Sequence, residues 1–156
     1  MLREIITHSH KAAESTYKAG APMTTGAAVV KDVAAGVAKF PTEATAANLY
    51  FVHKERIPTG INASRTNMSD YDEDYNTVAE DEHVVLYSFD AGEQFATDAF
   101  AASLSESDIG KTLAAGTDGK LAVATTTSKY LYKGVYQDAG HALCWVEVLN
   151  DAVTNA

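Results

Sequence analysis

Short apolar runs rich in β-branched and aromatic residues recur along the chain, separated by Gly, Thr, Asp and Pro. They predict strands over 27–30, 36–40, 49–53, 84–89, 120–125, 130–136 and 142–149. The last alternates most clearly. Leu143, Trp145 and Glu147 share one face, with Cys144, Val146 and Val148 on the other. Strands of this length, joined by turn residues, predict a mostly β fold, a small β-barrel or β-sandwich built from hairpins rather than βαβ units. Helical spacing is weak by comparison. Leu2, Ile5 and Ile6 are spaced for a helix, but the next position on that stripe is His10. Residues 1–22 are therefore expected to form an N-terminal arm, with an extended arm reaching onto a neighbour fitting as well as a helical turn. The alanines of 96–104 favour helix, and 44–47 could add a turn.

The rest of the chain, 23–156, reads as a single β-rich domain with an internal repeat. Gly26 opens GAAVVKDVAAGVAKF, a Thr/Ala stretch and the aromatic strand LYFV. Gly110 opens GKTLAAGTDGKLAVA, the stretch TTTS and the strand YLYKGV. Each copy reads as a hairpin with an acidic turn, a Thr-rich linker and an aromatic strand. Asp118-Gly119 is a strong hairpin signal, because the turn it favours needs positive φ. Between the copies, residues 55–81 form a long acidic loop containing Pro58, Gly60 and the run Asp70-Tyr71-Asp72-Glu73-Asp74-Tyr75. A loop this long marks function or assembly in a compact domain.

Composition changes the picture of the core. Of 156 residues, 27 are Ala, whereas Leu, Ile, Val and Phe together number 32, near the lower edge for a self-sufficient globule. A thin core predicts help from a partner or from copies of the same chain. The charge is also polar along the sequence. Residues 66–110 contain twelve Asp and Glu and no Lys or Arg, a formal −12, and the remainder carries +3, together making the net −9. Without clustered cations, phosphate tracking is excluded, and nucleic acid is not an expected partner. No run approaches the ~20 apolar residues of a membrane-spanning helix, and residues 1–20 show no signal-peptide pattern.

Candidate chemistry is sparse. Asp70, Asp72, Asp74, Asn76 and Asp81 have calcium-loop spacing, but Tyr75 occupies the turn position that demands Gly, so an EF-hand is excluded. A solvated acidic loop is the preferred reading. Glu80, Asp81, Glu82 and His83 could supply a general acid and base only if one carboxyl sat in an apolar pocket. Cys144 and His141 fall on opposite faces of a strand, which makes the only cysteine an apolar filler. His8 and His10 could share a metal in a strand-like arm, yet no third ligand is near them in sequence. Asn62-Ala63-Ser64 and Asn67-Met68-Ser69 match the glycosylation acceptor pattern by chance composition. No phosphate loop, dinucleotide fingerprint or catalytic motif occurs. The sequence thus assigns no catalytic, cofactor-binding or metal residue, and a non-enzyme without cofactor is expected. The aromatics Tyr50, Phe51, Tyr87, Phe89, Tyr130, Tyr132, Tyr136 and Trp145 all fall on predicted strands, and part of this set is expected to face another chain.

These features together, with the segment VVLYSFDAGEQFATDAF, resemble tailed-bacteriophage head decoration proteins, the capsid cement or stabilising family. The resemblance covers most of residues 20–150 and lies in texture and hairpin phrasing. It implies a β-rich, often oligomeric virion protein on the capsid surface, assembled in the host cytoplasm. Its implied partners are the major capsid protein and copies of itself, with neither nucleic acid nor membrane. The alternatives are another virion subunit, of a tail tube or head–tail joint, and a small divalent-cation-binding module using the 70–81 loop.

Overall fold

The computed structural model describes residues 1–8, 12–46, 48–54 and 76–155. Among these the fold is mostly β and sandwich-like, with two six-stranded sheets and a two-stranded ribbon. The first sheet runs β1 (Leu2–Ile6), β10 (Gln94–Thr97), β14 (His141–Val153), β13 (Ser128–Asp138), β11 (Thr112–Ala115) and β12 (Leu121–Val123). The second runs β2 (Ala12–Glu14), β9 (Val85–Ser88), β7 (Tyr50–His53), β5 (Ala28–Asp32), β6 (Val37–Lys39) and β3 (Lys18–Ala19). The ribbon pairs β4 (Met23–Thr24) with β8 (Thr77–Val78).

Each of the seven predicted strands is present. The face assignment in β14 also holds: Cys144, Val146 and Val148 are buried, whereas Trp145 and Glu147 are half-buried on the other side. The segment 96–104 differs. Its alanines favour helix, but Ala96 and Thr97 belong to β10, which is paired on both sides, with β1 and β14. Two neighbouring ladders outweigh an intrinsic preference worth a few tenths of a kcal/mol per residue. The N-terminal segment is extended, and its strands lie on their own chain. β1 pairs with β10, β2 with β9, and β3 with β6. Thr45, in the stretch read as a turn, bridges to Ala115.

The repeat seen in the sequence reappears as topology, and over a longer span. In the second sheet β5 pairs with β6 and β7, β7 with β9, and β9 with β2. In the first sheet β11 pairs with β12 and β13, β13 with β14, and β14 with β10, all antiparallel. The outer partner of the hairpin matches too. β3 runs parallel to β6, and Phe100 bridges in parallel to Leu121 of β12. Even single bonds recur. The Gly26 N–H donates to the Val52 carbonyl at 2.7 Å and the Val52 N–H to Ala27 at 2.9 Å. In the other copy Gly110 donates to Tyr132 at 2.9 Å and Tyr132 to Lys111 at 2.8 Å. Both glycines have positive φ, +96° and +90°. The chain is thus two units of one design, with β1 added at the edge of the second.

The cores are unequal. The larger cluster lies between the sheets and joins Ala28, Phe51 and Phe89 of the first unit to Phe95, Leu113, Tyr130, Tyr132 and Val146 of the second. A second cluster sits on the opposite face of the second sheet, around Val29, Val52, Val84 and Leu86. Alternation along β7 explains this, since Phe51 and Val52 point to opposite faces.

Candidate functional site

The first sheet turns an ordered polar and aromatic patch outward. Lys133 is the extra residue of a bulge in β13, where the register shifts between Tyr132 and Gly134. A bulge re-aims the side chain it carries. Here it brings the Lys133 Nζ to 2.6 Å from Glu147 Oε2 and 5.1 Å from the centroid of the Trp145 ring. The Trp145 Nε1–H donates to Gln94 Oε1 at 3.1 Å, and the Gln94 amide donates to Glu147 at 3.3 Å. Tyr136 meets the indole edge-on, with centroids 6.5 Å apart. Five side chains on three strands are therefore held by one another while remaining half exposed.

The topological repeat places His53, Val85, Tyr87 and Ala13 where this patch has Lys133, Trp145, Glu147 and Gln94. The chemistry differs. His53 stacks on Tyr87 at 4.8 Å, and with Ala13, Ser15 and Val85 they line an open concavity of roughly 460 Å³. A third group lies at the rim of the second core. Lys31 ion-pairs with Glu14 and sits over the ring of Tyr50 at 3.9 Å and of Tyr17 at 5.3 Å.

The aromatics divide as their strands dictate. Phe51, Phe89, Tyr130 and Tyr132 are buried, while Tyr50, Tyr87, Tyr136 and Trp145 stay half-buried. Asp70, Asp72 and Asp74 of the acidic run lie outside the described residues, as does His10. Asn76 and Asp81, the other members of that spacing, make backbone bonds to the N-terminal segment: the Asn76 carbonyl accepts the Thr25 N–H, and Asp81 donates its N–H to the Ala19 carbonyl. Glu82 accepts the Ala79 N–H at 2.8 Å, and Lys54 stands 3.3 Å away. The amide first and the ammonium next hold its carboxyl below the usual range. A general acid needs the reverse. His8, by contrast, does acquire neighbours: it lies beside Asp90 and Glu93, far away in sequence.

Cys144 is 1% exposed, and burial pushes its thiol up to about 12. The thiolate is the nucleophile that attacks a disulfide reagent. In mildly alkaline buffer the folded protein should therefore leave Ellman's reagent unreacted, and denaturant should release one thiol per chain. Rapid reaction without denaturant would mean that β14 opens readily. No protein-family model, curated protein sequence or solved structure matches this chain.

Proposed function

We propose that the chain is a structural virion protein that binds the outside of a phage capsid and stabilises the shell, with the major capsid protein and copies of itself as partners. The observation that carries this reading is the outward patch of Trp145, Tyr136, Lys133, Gln94 and Glu147. Trp and Tyr are over-represented among the residues that dominate interface energies. Freezing a mobile side chain at an interface costs about 0.5–1.5 kcal/mol. These five are already held by ring contacts and hydrogen bonds, which lowers that cost. A standard interface of about 1,600 Å², repeated across a lattice of identical sites, would give high avidity even from modest single contacts. The N-terminal segment has another task, since its strands complete both sheets.

The test is co-sedimentation of the purified protein with expanded phage capsids. The wild-type chain should saturate the shell. Trp145→Ala should weaken binding roughly 30-fold, the size expected for removing a hot-spot side chain of about 2 kcal/mol. Val33→Ala, on a turn and 76% exposed, should bind as the wild type does. If the wild type does not bind, the capsid reading is lost. If Trp145→Ala binds normally with an unchanged circular dichroism spectrum, the attachment face lies elsewhere. Rings or tubes of the protein alone in electron micrographs would favour a tail-tube subunit instead.

A further inference from the structure

Glu93 is a carboxylate with 3% side-chain exposure immediately before β10. Its two oxygens accept the backbone N–H of His8, at 2.7 Å, and of Asp90, at 2.6 Å. The same residues bring their side chains. The imidazole Nδ1 of His8 is 3.8 Å from Glu93 Oε1. One ligand atom from each of His8, Asp90 and Glu93 lies within 4.8 Å of the other two. The frame beneath is stiff, because Glu93 donates to Asp90, Gly92 donates to Val148, and Val148 donates back to Glu93.

We propose that His8, Asp90 and Glu93 form a binding site for one divalent transition-metal ion, with zinc as the favoured ion. Each carboxylate oxygen retains a lone pair beyond the one an amide uses. Ligand atoms about 2.1 Å from a tetrahedral zinc ion stand about 3.4 Å apart. Glu93 is fixed, so rotations of the exposed His8 and Asp90 must close a gap of up to about 1.4 Å. An imidazole nitrogen selects zinc, cobalt or nickel over calcium and magnesium, which prefer oxygen throughout. Two carboxylates balance the charge of the ion, and water completes its shell.

The repeat supplies an independent reason to single out Glu93. In the first unit Ala12 occupies the corresponding position, so the strand topology does not itself require a buried carboxylate there. A bound ion would clamp the residue just beyond β1, an edge strand, to the β9–β10 turn.

The experiment uses the full chain stripped with EDTA, titrated with cobalt in visible absorption and with zinc in calorimetry. One equivalent of each should bind saturably, cobalt with d–d bands of imidazole–carboxylate type. Excess zinc at about a hundred times its dissociation constant should raise the melting temperature by roughly 5–10 °C. His8→Ala and Asp90→Asn should each weaken binding at least tenfold. Glu93→Gln should abolish it, and because His8 is exposed its variant tests the site even if Glu93→Gln fails to fold. Asp72→Ala with Asp74→Ala should bind zinc as the wild type does. No saturable binding, or undiminished binding by His8→Ala, would overturn the site. So would loss of zinc binding in the Asp72/Asp74 variant, which would put the metal on the acidic loop. The outcome is independent of capsid attachment.

Discussion

Replacing Phe51 by alanine is expected to remove about 3–5 kcal/mol of folding free energy, the usual cost of deleting a fully buried phenyl ring. Phe51 is 0% exposed and lies 4.4 Å from Phe95, 5.7 Å from Phe89 and 6.0 Å from Tyr130, centroid to centroid. Phe95 and Tyr130 belong to the second unit and Phe51 to the first, so the ring joins the two. Alanine leaves a cavity that strands from both sheets would have to close together. Domains of this size have about 5–15 kcal/mol of total stability, so the loss is a large share of it. Urea denaturation followed by far-ultraviolet circular dichroism gives the difference directly. The fluorescence of Trp145, the only tryptophan, reports the second unit separately. Phe51→Leu keeps most of the volume and should lose no more than about 1.5 kcal/mol. A loss below about 1 kcal/mol for Phe51→Ala would show that the two units do not depend on this ring.

Much of this architecture could be read from the residues alone, and what escaped has physical causes. The strands 49–53, 130–136 and 142–149 announce themselves because β-branched and aromatic residues alternate along them. The hairpin at Asp118-Gly119 is equally plain, and Gly119 has a φ of +74°. β10 escaped because QFAT followed by DAFAA is rich in alanine, whose preference is overruled by partners on both sides. β1 escaped because Leu2, Ile5 and Ile6 fit helical spacing. Its register with β10 contains a shift between Glu4 and Ile6, which breaks the two-residue period. β3, β4 and β8 are two residues each, too short for any period to register.

The sites divide along the same line. Alternation within β14 puts Leu143, Trp145 and Glu147 on one face, and that arrangement is local. Lys133 and Gln94 reach the same patch through pairing between strands, which no spacing within one strand reveals. The sequence offers His8 and His10 as ligand types with no third ligand nearby in the chain. Asp90 and Glu93 join His8 only because β1 lies beside β10, a contact more than 80 residues apart in the chain. A short sequence window sees chemistry types. The fold decides which of them meet.

The repeated design permits a sharper experiment on the backbone. Gly26→Ala and Gly110→Ala should both destabilise the protein, and by clearly different amounts. At equivalent turns the two glycines have φ of +96° and +90°, where an L-residue is strained by about 1–2 kcal/mol. That strain is common to both. A Cβ on Gly110 would meet nothing within 4 Å, so its loss should stop there. A Cβ on Gly26 would lie 2.3 Å from the Met1 carbonyl oxygen and 2.4 Å from Thr97 Oγ1. Neither can yield cheaply. Met1 is 2% exposed and its carbonyl accepts the Asp98 N–H, while the Thr97 hydroxyl is buried and donates to the Gly26 carbonyl at 2.8 Å. Relief requires β1 and β10 to move from the first unit, which adds about 1–3 kcal/mol of overpacking. Gly26→Ala should therefore lose roughly 2–5 kcal/mol in urea, against about 1–2 for Gly110→Ala. The difference isolates the clash, because the backbone cost cancels between the two copies. Equal losses would mean that the seam at Gly26 is looser than its distances imply, and that the β1–β10 edge moves freely against the first unit.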